Sequence, residues 1–553
     1  MTSVVLRPSA GGPGTRADHH RDVVLIGYQD QGNLGMGYLA AAIEARGFTV
    51  DLLEIRDEVD GLIRRVRDAQ PLVVGFSLIF QYFLPDYASL AGKLRDAGET
   101  SHFTVGGHFA SLCPDEVLAA MPQLDSVVMF EGEETLCEIV SCLRIGRTWH
   151  EVAGIAMRER GSVVRTEPRA LIEDLDSLPF PVRNQEPGHV LGWHYDPVLA
   201  SRGCARRCSF CSIHVFYRTA PGKVVRLRRP DRIVDEIREL VEHRRTSVVL
   251  FQDDDFPLWG RAGKRWVSEL VDRLDEAGLV GRVIWKISCR AEYVERELFT
   301  MLRNAGMYLV YMGLESGDEG GLEVLNKRIS RQTNLEAVKT LKDLDIPFAY
   351  GFMMFDPSTS FDSIRANVEF LGEIVGDGSA AAVFCRMLPY GGTPIREQLR
   401  AEGRLRGDVT NPDYAFLDPR IDRLHARLDD VVGGWIHGRG VSHQLDWAWH
   451  EIQVLERLVP TVAGLEDYRA RLRHLTAESN RLVLDLVLSV TAAFEAGNER
   501  GGVGEEPRVV QERLISGLLA IRNDFVLHNQ DTMLGALRAH REPHAPVVLP
   551  QVH

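Results

Sequence analysis

The chain contains 553 residues, of which 45% are hydrophobic and 26% are charged, and its formal net charge at pH 7 is −14. This composition is typical of a globular protein, and the length predicts about three or four domains. The excess of acidic residues argues against a nucleic-acid-binding protein, which would carry a basic surface. No apolar run is long enough to span a bilayer, so no membrane partner is expected.

Residues 1–21 contain glycine, proline and arginine but no apolar segment, and they predict a disordered tail rather than a signal peptide. Five of the eight cysteines are scattered: Cys113, Cys137, Cys142, Cys289 and Cys385. Without a secretion signal, such thiols predict a reducing, cytoplasmic location.

Between residues 22 and 150, short β-rich runs alternate with helical stretches, which predicts a doubly wound, Rossmann-like α/β domain of about the flavodoxin size. The predicted strands are Val23–Tyr28, Thr49–Leu53, Pro71–Ser77, Phe103–His108 and Ser126–Phe130. Ligands of such sheets bind beyond the carboxyl ends of the strands. The candidate binding residues there are Ser77, Leu78, Gly106, Gly107, His108 and Glu131. Residues 151–191 are predicted to be a linker.

A second α/β unit is predicted over residues 192–410. Its six strands are Pro197–Ala200, Ser247–Phe251, Arg282–Ile287, Leu309–Gly313, Phe348–Met354 and Ala381–Phe384. Residues 411–553 lose the β signal and predict a helical C-terminal domain, with a ragged tail after His540. The helical patterns run over Leu445–Leu458, Leu482–Phe494 and Val509–Ile521.

Three cysteines follow the first strand of the second unit. Cys204, Cys208 and Cys211 have the spacing C-x3-C-x2-C. Thiolates hold iron–sulfur clusters, and a cubane normally takes four of them, so three on one loop would leave the fourth iron open. A zinc site would need a fourth ligand and usually paired C-x2-C elements, and three core cysteines would rarely share one short glycine- and arginine-containing loop. The spacing therefore favours a cluster.

This loop, with Phe210 just before its last cysteine, resembles the cluster loop of the radical S-adenosylmethionine (SAM) superfamily. The first half resembles the cobalamin-binding domain that precedes many radical SAM domains. The matching pieces are Asn33–Ala40, Val74–Ser77, Val105–His108, Glu131–Glu133 and Asp174–Pro181. The resemblance covers about residues 22–410 and points to the cobalamin-dependent radical SAM family, in particular to its class B methyltransferases. It implies a partial (β/α)6 barrel, a [4Fe-4S] cluster on the three cysteines, SAM and cobalamin.

One departure concerns the loop after the first strand. Many cobalamin domains carry D-x-H-x-x-G there, and the histidine becomes the lower cobalt ligand. Here the loop reads Gly27-Tyr28-Gln29-Asp30-Gln31-Gly32-Asn33 and has no histidine. The lower face of the cobalt is therefore expected to lack a histidine ligand. A vestigial domain without a corrinoid is the alternative.

The resemblance also suggests roles for residues at the strand ends of the second unit. Phe210 would pack against the cluster or the SAM adenine. Asp253 or Asp254 would contact the SAM ammonium, although three successive carboxylates (253–255) could instead form a metal site or a solvated run. Ser288 and Arg290 follow the third strand, and Arg290 would hold the SAM carboxylate or pair with Glu315. Glu315 would accept from the ribose or the ammonium.

For other polar residues, the sequence allows either a functional or a structural role. Tyr308 and Tyr311 line the expected cavity and are candidate catalytic proton donors or bases, with packing as the alternative. His443 and His450 belong to a helical pattern and are not expected to be ligands. The arginines after the cluster loop would contact an anionic substrate or lie on a solvated strand edge: Arg226, Arg228 and Arg229.

The resemblance implies that the enzyme methylates an unactivated carbon of a small specialised metabolite, through a 5′-deoxyadenosyl radical and methylcobalamin. Its partners would be the small-molecule substrate and an electron donor such as flavodoxin or ferredoxin. The alternatives are a non-methylating radical SAM enzyme that performs a ring contraction, dehydration or cyclisation, and a non-catalytic corrinoid or cluster sensor.

Overall fold

The computed structural model describes residues 20–29 and 32–541. The predicted N-terminal tail lies almost wholly outside these residues, as does the predicted tail after His540. The described chain divides into two compact units, one of residues 20–29 and 35–168 and the other of residues 32–34 and 169–541. No helix among the described residues is both long and apolar enough to cross a membrane.

The first unit is built on a seven-stranded sheet of order β2-β1-β3-β4-β5-β6-β7. Its strands are β1 (Val23–Gly27), β2 (Val50–Glu54), β3 (Val73–Ser77), β4 (His102–Gly106), β5 (Ser126–Val128), β6 (Ile155–Glu159) and β7 (Ser162–Arg165). The first five are parallel and follow the 2-1-3-4-5 order of the flavodoxin-like fold. Most of their side chains are apolar and buried, as expected for strands covered on both faces. The predicted doubly wound fold is confirmed.

Six helices accompany this sheet: α1 (Leu34–Ala45), α2 (Val59–Ala69), α3 (Leu84–Asp96), α4 (His108–Leu112), α5 (Pro114–Ala120) and α6 (Glu133–Arg144). The hairpin β6–β7 lies within the stretch predicted as a linker. Arg160 and Gly161 both have positive φ, at 50° and 84°, as the type I′ turn of a two-residue hairpin requires. Because β6 pairs antiparallel with β5, this part of the linker extends the sheet instead.

The second unit contains a sheet of order β16-β15-β14-β13-β12-β9-β8. Its strands are β8 (Gly188–Val190), β9 (Trp193–Val198), β12 (Thr246–Phe251), β13 (Ile284–Cys289), β14 (Met307–Glu315), β15 (Phe348–Phe355) and β16 (Cys385–Arg386). All pairs from β9 to β16 are parallel, which gives the six strands of the predicted half-barrel. The antiparallel β8 adds an unpredicted edge strand. Two short ladders stand apart: β10 (Ser201–Arg202) with β11 (Arg226–Leu227), and β17 (Leu405–Gly407) with β18 (Pro412–Tyr414).

The predicted strand Ala381–Phe384 is wrong, since the sixth parallel strand begins at Cys385. The backbone before it is held by side chains instead of a ladder, because the amide oxygen of Asn480 accepts from the Ala382 nitrogen at 2.7 Å. The Asn480 amide also donates to the Ala380 carbonyl at 2.9 Å, and the Ser442 hydroxyl donates to the Ala382 carbonyl at 2.8 Å. Buried backbone groups must find partners, and here helices distant in sequence supply them.

Eight helices lie within the barrel region: α7 (Ile213–Thr219), α8 (Pro230–Glu239), α9 (Gly260–Glu276), α10 (Arg296–Asn304), α11 (Glu319–Val324), α12 (Arg331–Asp343), α13 (Phe361–Val375) and α14 (Pro394–Ala401). Four longer helices follow: α15 (Pro419–Ile436), α16 (Val441–Leu458), α17 (Leu465–Glu495) and α18 (Pro507–Arg541). These confirm a helical C-terminus and extend well beyond the predicted patterns. One continuous apolar core joins them to the barrel, so the region is an integral part of the second unit.

Candidate active site

The candidate residues of the first unit lie side by side at the carboxyl ends of three neighbouring strands. Ser77 ends β3 and pairs in register with Gly106, which ends β4. The Leu78 nitrogen donates to the Gly106 carbonyl at 2.8 Å, and Leu78 is fully buried. Glu131, which is also buried, follows β5. Parallel pairing therefore gathers side chains that are far apart in sequence at one edge.

Gly107 is the tightest point of this edge. Its φ is +111°, and a Cβ at this position would lie 2.4 Å from the Leu78 carbonyl oxygen. Only glycine allows the two loops to approach so closely. His108 follows at the start of α4, where burial lowers the pKa of its imidazole to about 4 and keeps the ring neutral near pH 7.

An apolar surface that the sequence analysis missed adjoins this edge. Ile79, Phe80 and Tyr82 follow β3 and are 38%, 40% and 44% exposed. The rings of Phe80 and Tyr82 are stacked, with centroids 5.4 Å apart and an interplanar angle of 7°. The signal was present, because the apolar run of β3 continues through Leu78, Ile79 and Phe80 beyond the strand end. Together with the glycine cradle, this surface fits a large flat ligand such as a corrin.

In the second unit, the cysteine loop leaves the carboxyl end of β9 and ends at α7. The ring Nε2 of His214 forms a hydrogen bond of 2.9 Å with the Cys208 carbonyl, and the Cys211 nitrogen donates to the same carbonyl at 3.2 Å. The Ser209 nitrogen donates to the Leu325 carbonyl, and the Ser209 hydroxyl donates to the Val324 carbonyl. The loop is thus held on both sides.

The three thiols fit the donor set of a cubane cluster. Neither Cys204 nor Cys208 nor Cys211 forms a disulfide within the described chain. Burial, followed by nearby negative charge, raises the pKa of Cys204 to about 12 and that of Cys211 to about 11, so bound iron would have to displace their protons. No three His, Cys, Asp or Glu residues of the described chain converge on one ion position. A cubane does not require this convergence, because each thiolate binds a different iron.

The successive carboxylates after β12 hold the cysteine loop rather than form a metal site. Asp253 accepts from the Ser201 hydroxyl at 2.5 Å and from the Ala200 nitrogen at 3.1 Å. Asp254 accepts from the Gly203 nitrogen at 2.9 Å. Asp253 and Asp254 diverge to different parts of the loop, and no three His, Cys, Asp or Glu residues of the described chain could hold one metal ion, which contradicts the metal-site alternative. Asp254 is exposed, whereas Asp253 and Asp255 are buried, so the three do not form a solvated run.

Asp255, which was not among the candidate residues, faces the thiols. One of its oxygens lies 3.8 Å from the Cys204 sulfur. The other, Oδ1, is buried and has no hydrogen-bond partner among the described residues. Burial raises the pKa of Asp255 to about 7. A buried carboxylate oxygen with an unmet acceptor site fits a cationic ligand such as the SAM ammonium.

The predicted pair between Arg290 and Glu315 is wrong. Arg290 pairs with Glu292 at 2.9 Å and directs Nη1 to the Cys208 sulfur at 3.7 Å. Glu315 pairs with Lys327 at 2.9 Å. The chain after α11 folds back and places Lys327 between Arg290 and Glu315. Arg290 donates to the Lys327 carbonyl at 2.5 Å. Arg290 nevertheless lies beside the cluster loop.

Glu315 ends β14 in a left-handed conformation, with φ at +65°, which is uncommon for a residue other than glycine. Such outliers occur where surrounding structure fixes a functional side chain. A Cβ on Gly313 would lie 2.2 Å from the Glu315 carboxylate, so the small residue leaves room for it. Ser288 lies on the same sheet edge and is partly exposed, while Phe210 packs against the apolar core of the unit.

The two candidate tyrosines differ in environment. The β13–β14 register slips between Trp285 and Lys286, so Tyr308 is the extra residue of a bulge. Tyr308 is 1% exposed, and its hydroxyl has no hydrogen-bond partner in the described chain. Tyr311 is 39% exposed, and burial followed by the Glu315 charge raises its pKa to about 12. Tyr311 is therefore the more accessible of the two.

Two of the three arginines after the loop, Arg226 and Arg228, are structural. Arg226 is buried and donates to the Ile172 carbonyl at 2.8 Å, and Arg228 pairs with the buried Glu236 at 2.5 Å. Neither forms a solvated edge or remains available for an anionic substrate. Arg229 is exposed and lies near Asp176.

Comparison with known protein families gives two matches along the chain. The model of the B12 binding domain matches residues 21–140, and the model of the Radical SAM superfamily matches residues 198–371. These are the units that carry the glycine cradle and the cysteine loop.

Three curated relatives are similar over most of this chain. An uncharacterised methyltransferase of Pyrococcus horikoshii is 26% identical over 72% of this chain and 84% of its own length. Hopanoid C-3 methylase of Methylococcus capsulatus is 26% identical over 75% of this chain and 77% of its own length. The anaerobic magnesium-protoporphyrin IX monomethyl ester cyclase of Cereibacter sphaeroides is 28% identical over 66% of this chain, which spans only 60% of the cyclase.

Two solved structures share the fold. The cobalamin-dependent S-adenosylmethionine radical enzyme OxsB with aqua-cobalamin bound has a TM-score of 0.64 at 17% identity, over 94% of this chain and 84% of its own. The radical S-adenosylmethionine methyltransferase TsrM from Kitasatospora setae, with cobalamin and a [4Fe-4S] cluster bound, has a TM-score of 0.58 at 18% identity, over 69% and 75%. At these identities the likeness establishes the fold alone.

Proposed function

We propose that this chain, which belongs to the radical SAM enzymes that carry a B12-binding domain, is a methyltransferase that acts on an unactivated carbon of a small specialised metabolite. One observation carries the proposal: the chain has both the glycine cradle at Gly107 and the three-thiol loop. A vestigial first unit would not need to keep the close backbone approach at Gly107. Methyltransferases among the relatives support the same reading.

The residues divide between the cofactors by their chemistry. Cys204, Cys208 and Cys211 would ligate a [4Fe-4S] cluster, and the cradle around Gly107 would hold cobalamin. When bound, these groups and SAM supply radical hydrogen abstraction from the substrate and a methyl donor, which protein side chains cannot provide.

The side chains around the thiols would bind and orient SAM. Asp255 offers the buried oxygen that suits its ammonium, and Glu315 offers a carboxylate fixed by Lys327. Arg290 is already paired with Glu292, so any contact with the SAM carboxylate would have to be shared with that pair. Asp253 and Asp254 act as positioning residues, because they hold the loop rather than face the thiols.

A non-methylating radical reaction, such as a cyclisation, is the second candidate. The similarity to the anaerobic cyclase favours it, since that relative is as close in identity as the methylases. The two candidates differ in product mass and SAM use. Methylation adds one methyl group to the substrate and consumes a second SAM, whereas a cyclisation does neither.

The test is anaerobic purification with hydroxocobalamin supplied, followed by measurement of corrinoid, iron and sulfide per chain. We expect close to one corrinoid and one cluster per chain, and reductive cleavage of SAM when flavodoxin or ferredoxin is reduced. Cys208→Ala should lose the cluster and SAM cleavage while it retains corrinoid. An intact cluster without corrinoid would contradict methylation and favour the second candidate, and unchanged cleavage by Cys208→Ala would contradict both.

A further inference from the structure

Lys286 is a cation on the accessible side of the half-barrel sheet. It lies on β13 between the buried Trp285 and Ile287, two residues before Ser288. Ser288 pairs in register with Tyr311, and Lys286 pairs with Leu309. Side chains alternate across a strand, so Lys286 and Ser288 share one face. Lys286 therefore lies two residues closer than Ser288, the predicted SAM contact, to the amino end of β13.

No carboxylate neutralises this lysine. Within the described chain, Lys286 forms no ion pair or hydrogen bond, and its ammonium lies 5.6 Å from the ring centroid of Tyr311. Glu315, the nearest candidate on β14, is already paired with Lys327. Burial lowers the pKa of Lys286, which indicates that water solvates the ammonium poorly. An ammonium without a partner in such surroundings is costly unless a ligand supplies the negative charge.

Helix α16 brings a second polar group to the same place. His450 packs its ring 5.7 Å from the ring of Tyr308, near the amino end of β14, and 5.7 Å from Trp447. Burial, and then the charge of Lys286, lower the pKa of His450 to about 4. The imidazole is therefore neutral near pH 7 and can donate one N–H. The nearby α16 carboxylate Asp446 forms no ion pair with Lys286 among the described residues.

The side chains around Lys286 are partly exposed, and their ionisable groups are partly shielded from water. Tyr311 is 39% exposed, yet burial raises its pKa to about 12. Cys385, on β16, is also exposed while burial raises its pKa to about 11. The charge of Cys385 contributes to the raised pKa of Tyr311, so these two side chains lie close together beside Lys286 on the open face of the sheet. His450 is close enough for the Lys286 charge to lower its pKa.

We propose that the Lys286 ammonium, backed by the Tyr311 ring and the His450 imidazole, binds an anionic group of the substrate, namely a carboxylate or a phosphate. The substrate would then extend from Lys286 toward Ser288 and the cysteine loop. The identity of this surface as the substrate site rests on the proposed function, whereas the capture of an oxyanion by Lys286 does not.

The first test uses the unmodified full-length protein. Lysines are acetylated with acetic anhydride, and the rate at each lysine is read by peptide mass spectrometry. Inorganic phosphate and succinate serve as probes, and chloride at matched ionic strength is the reference. We expect phosphate, succinate or both to slow acetylation of Lys286 roughly tenfold. Lys339, which is exposed and paired with Asp343, should react at an unchanged rate.

Each result has one reading. Protection by phosphate alone assigns a phosphate-bearing substrate, protection by succinate alone assigns a carboxylate, and protection by both assigns an oxyanion of either kind. Equal acetylation of Lys286 in phosphate, succinate and chloride would overturn the proposal.

The second test measures binding of the protecting anion by calorimetry. Lys286→Met should weaken it roughly tenfold to a hundredfold, whereas Lys286→Arg, which keeps the charge, and the control Lys339→Met should retain it. Unchanged affinity in Lys286→Met would overturn the proposal even if the acetylation result had been positive. Neither assay depends on turnover, so failure here is distinct from an absence of corrinoid or cluster, which would concern the proposed function.

Discussion

The carboxylate of Asp254 accepts a hydrogen bond of 2.9 Å from the backbone nitrogen of Gly203, the residue immediately before the first cysteine of the loop. Gly203 itself has φ at +91°, and a Cβ there would lie 2.0 Å from the Val224 carbonyl oxygen. The loop therefore enters the cysteine segment along a path that a side-chain carboxylate and a glycine define together. These two contacts fix the backbone that leads into Cys204.

Removal of that carboxylate should loosen the thiols. We expect Asp254→Ala to lower the iron and sulfide retained per chain after anaerobic reconstitution and desalting, because the Gly203 nitrogen loses its acceptor. The loss of a hydrogen bond to a charged acceptor costs about 1.5–3 kcal/mol. Asp272→Ala, on the exposed face of α9, is the matched control. Equal cluster retention in both variants would show that Asp254 does not position the loop.

The cradle of the first unit predicts a separate defect. Gly107→Ala should reduce corrinoid per chain several-fold while cluster content stays normal, because its Cβ would meet the Leu78 carbonyl. Gly98→Ala separates backbone strain from this contact, since Gly98 also has a positive φ, +88°, but nothing within 4 Å of a Cβ. Such strain costs about 1–3 kcal/mol. Normal corrinoid content in Gly107→Ala would contradict the assignment of the cradle.

The buried pair of Glu315 and Lys327 should behave as a unit. Either Glu315→Gln or Lys327→Met leaves one charge buried alone and should lower the free energy of unfolding by about 3–5 kcal/mol. The double variant should lose less than the sum of the two, because no lone charge remains. Chemical denaturation of the four proteins measures this coupling. Additive losses would show that the two side chains do not depend on each other.

Stability should fall in mild acid. In the folded protein, burial lowers the pKa of four histidine side chains to about 4. These are His102, His108, His425 and His450. In the unfolded chain their pKa is near 6.5, so between pH 6.5 and 4 the unfolded state binds more protons and the free energy of unfolding drops as the pH falls. Each histidine contributes up to about 1.4 kcal/mol per pH unit.

The measurement is denaturation at pH 7.5 and at pH 5.5. His102→Gln is the informative variant, since the ring Nε2 of His102 is bonded to the Ser126 hydroxyl at 2.9 Å and an amide can occupy the same place. This variant should lose less stability than the native chain over that range. An identical loss in both proteins would show that His102 is not neutral when folded.

Much of the site was predictable from sequence because its residues follow strand ends. Parallel pairing alone brings Ser77 beside Gly106, and the cysteine spacing needs no tertiary information. Lys327 was not predictable, since it reaches Glu315 only after the chain folds back beyond α11. Lys286 and His450 are likewise far apart in sequence, and nothing local in α16 indicates that it packs against β13 and β14.

The side chain of Asn480 has a consequence for how this architecture can be recombined. It supplies hydrogen bonds to the backbone at Ala380 and Ala382, just before the last barrel strand. A chimera that exchanged the C-terminal helices at residue 411 would leave those backbone groups without hydrogen-bond partners. A crossover placed before residue 375 would keep Asn480 together with the backbone to which it hydrogen-bonds. We therefore expect that a transfer of substrate specificity requires exchange of the sixth strand as well as the helices.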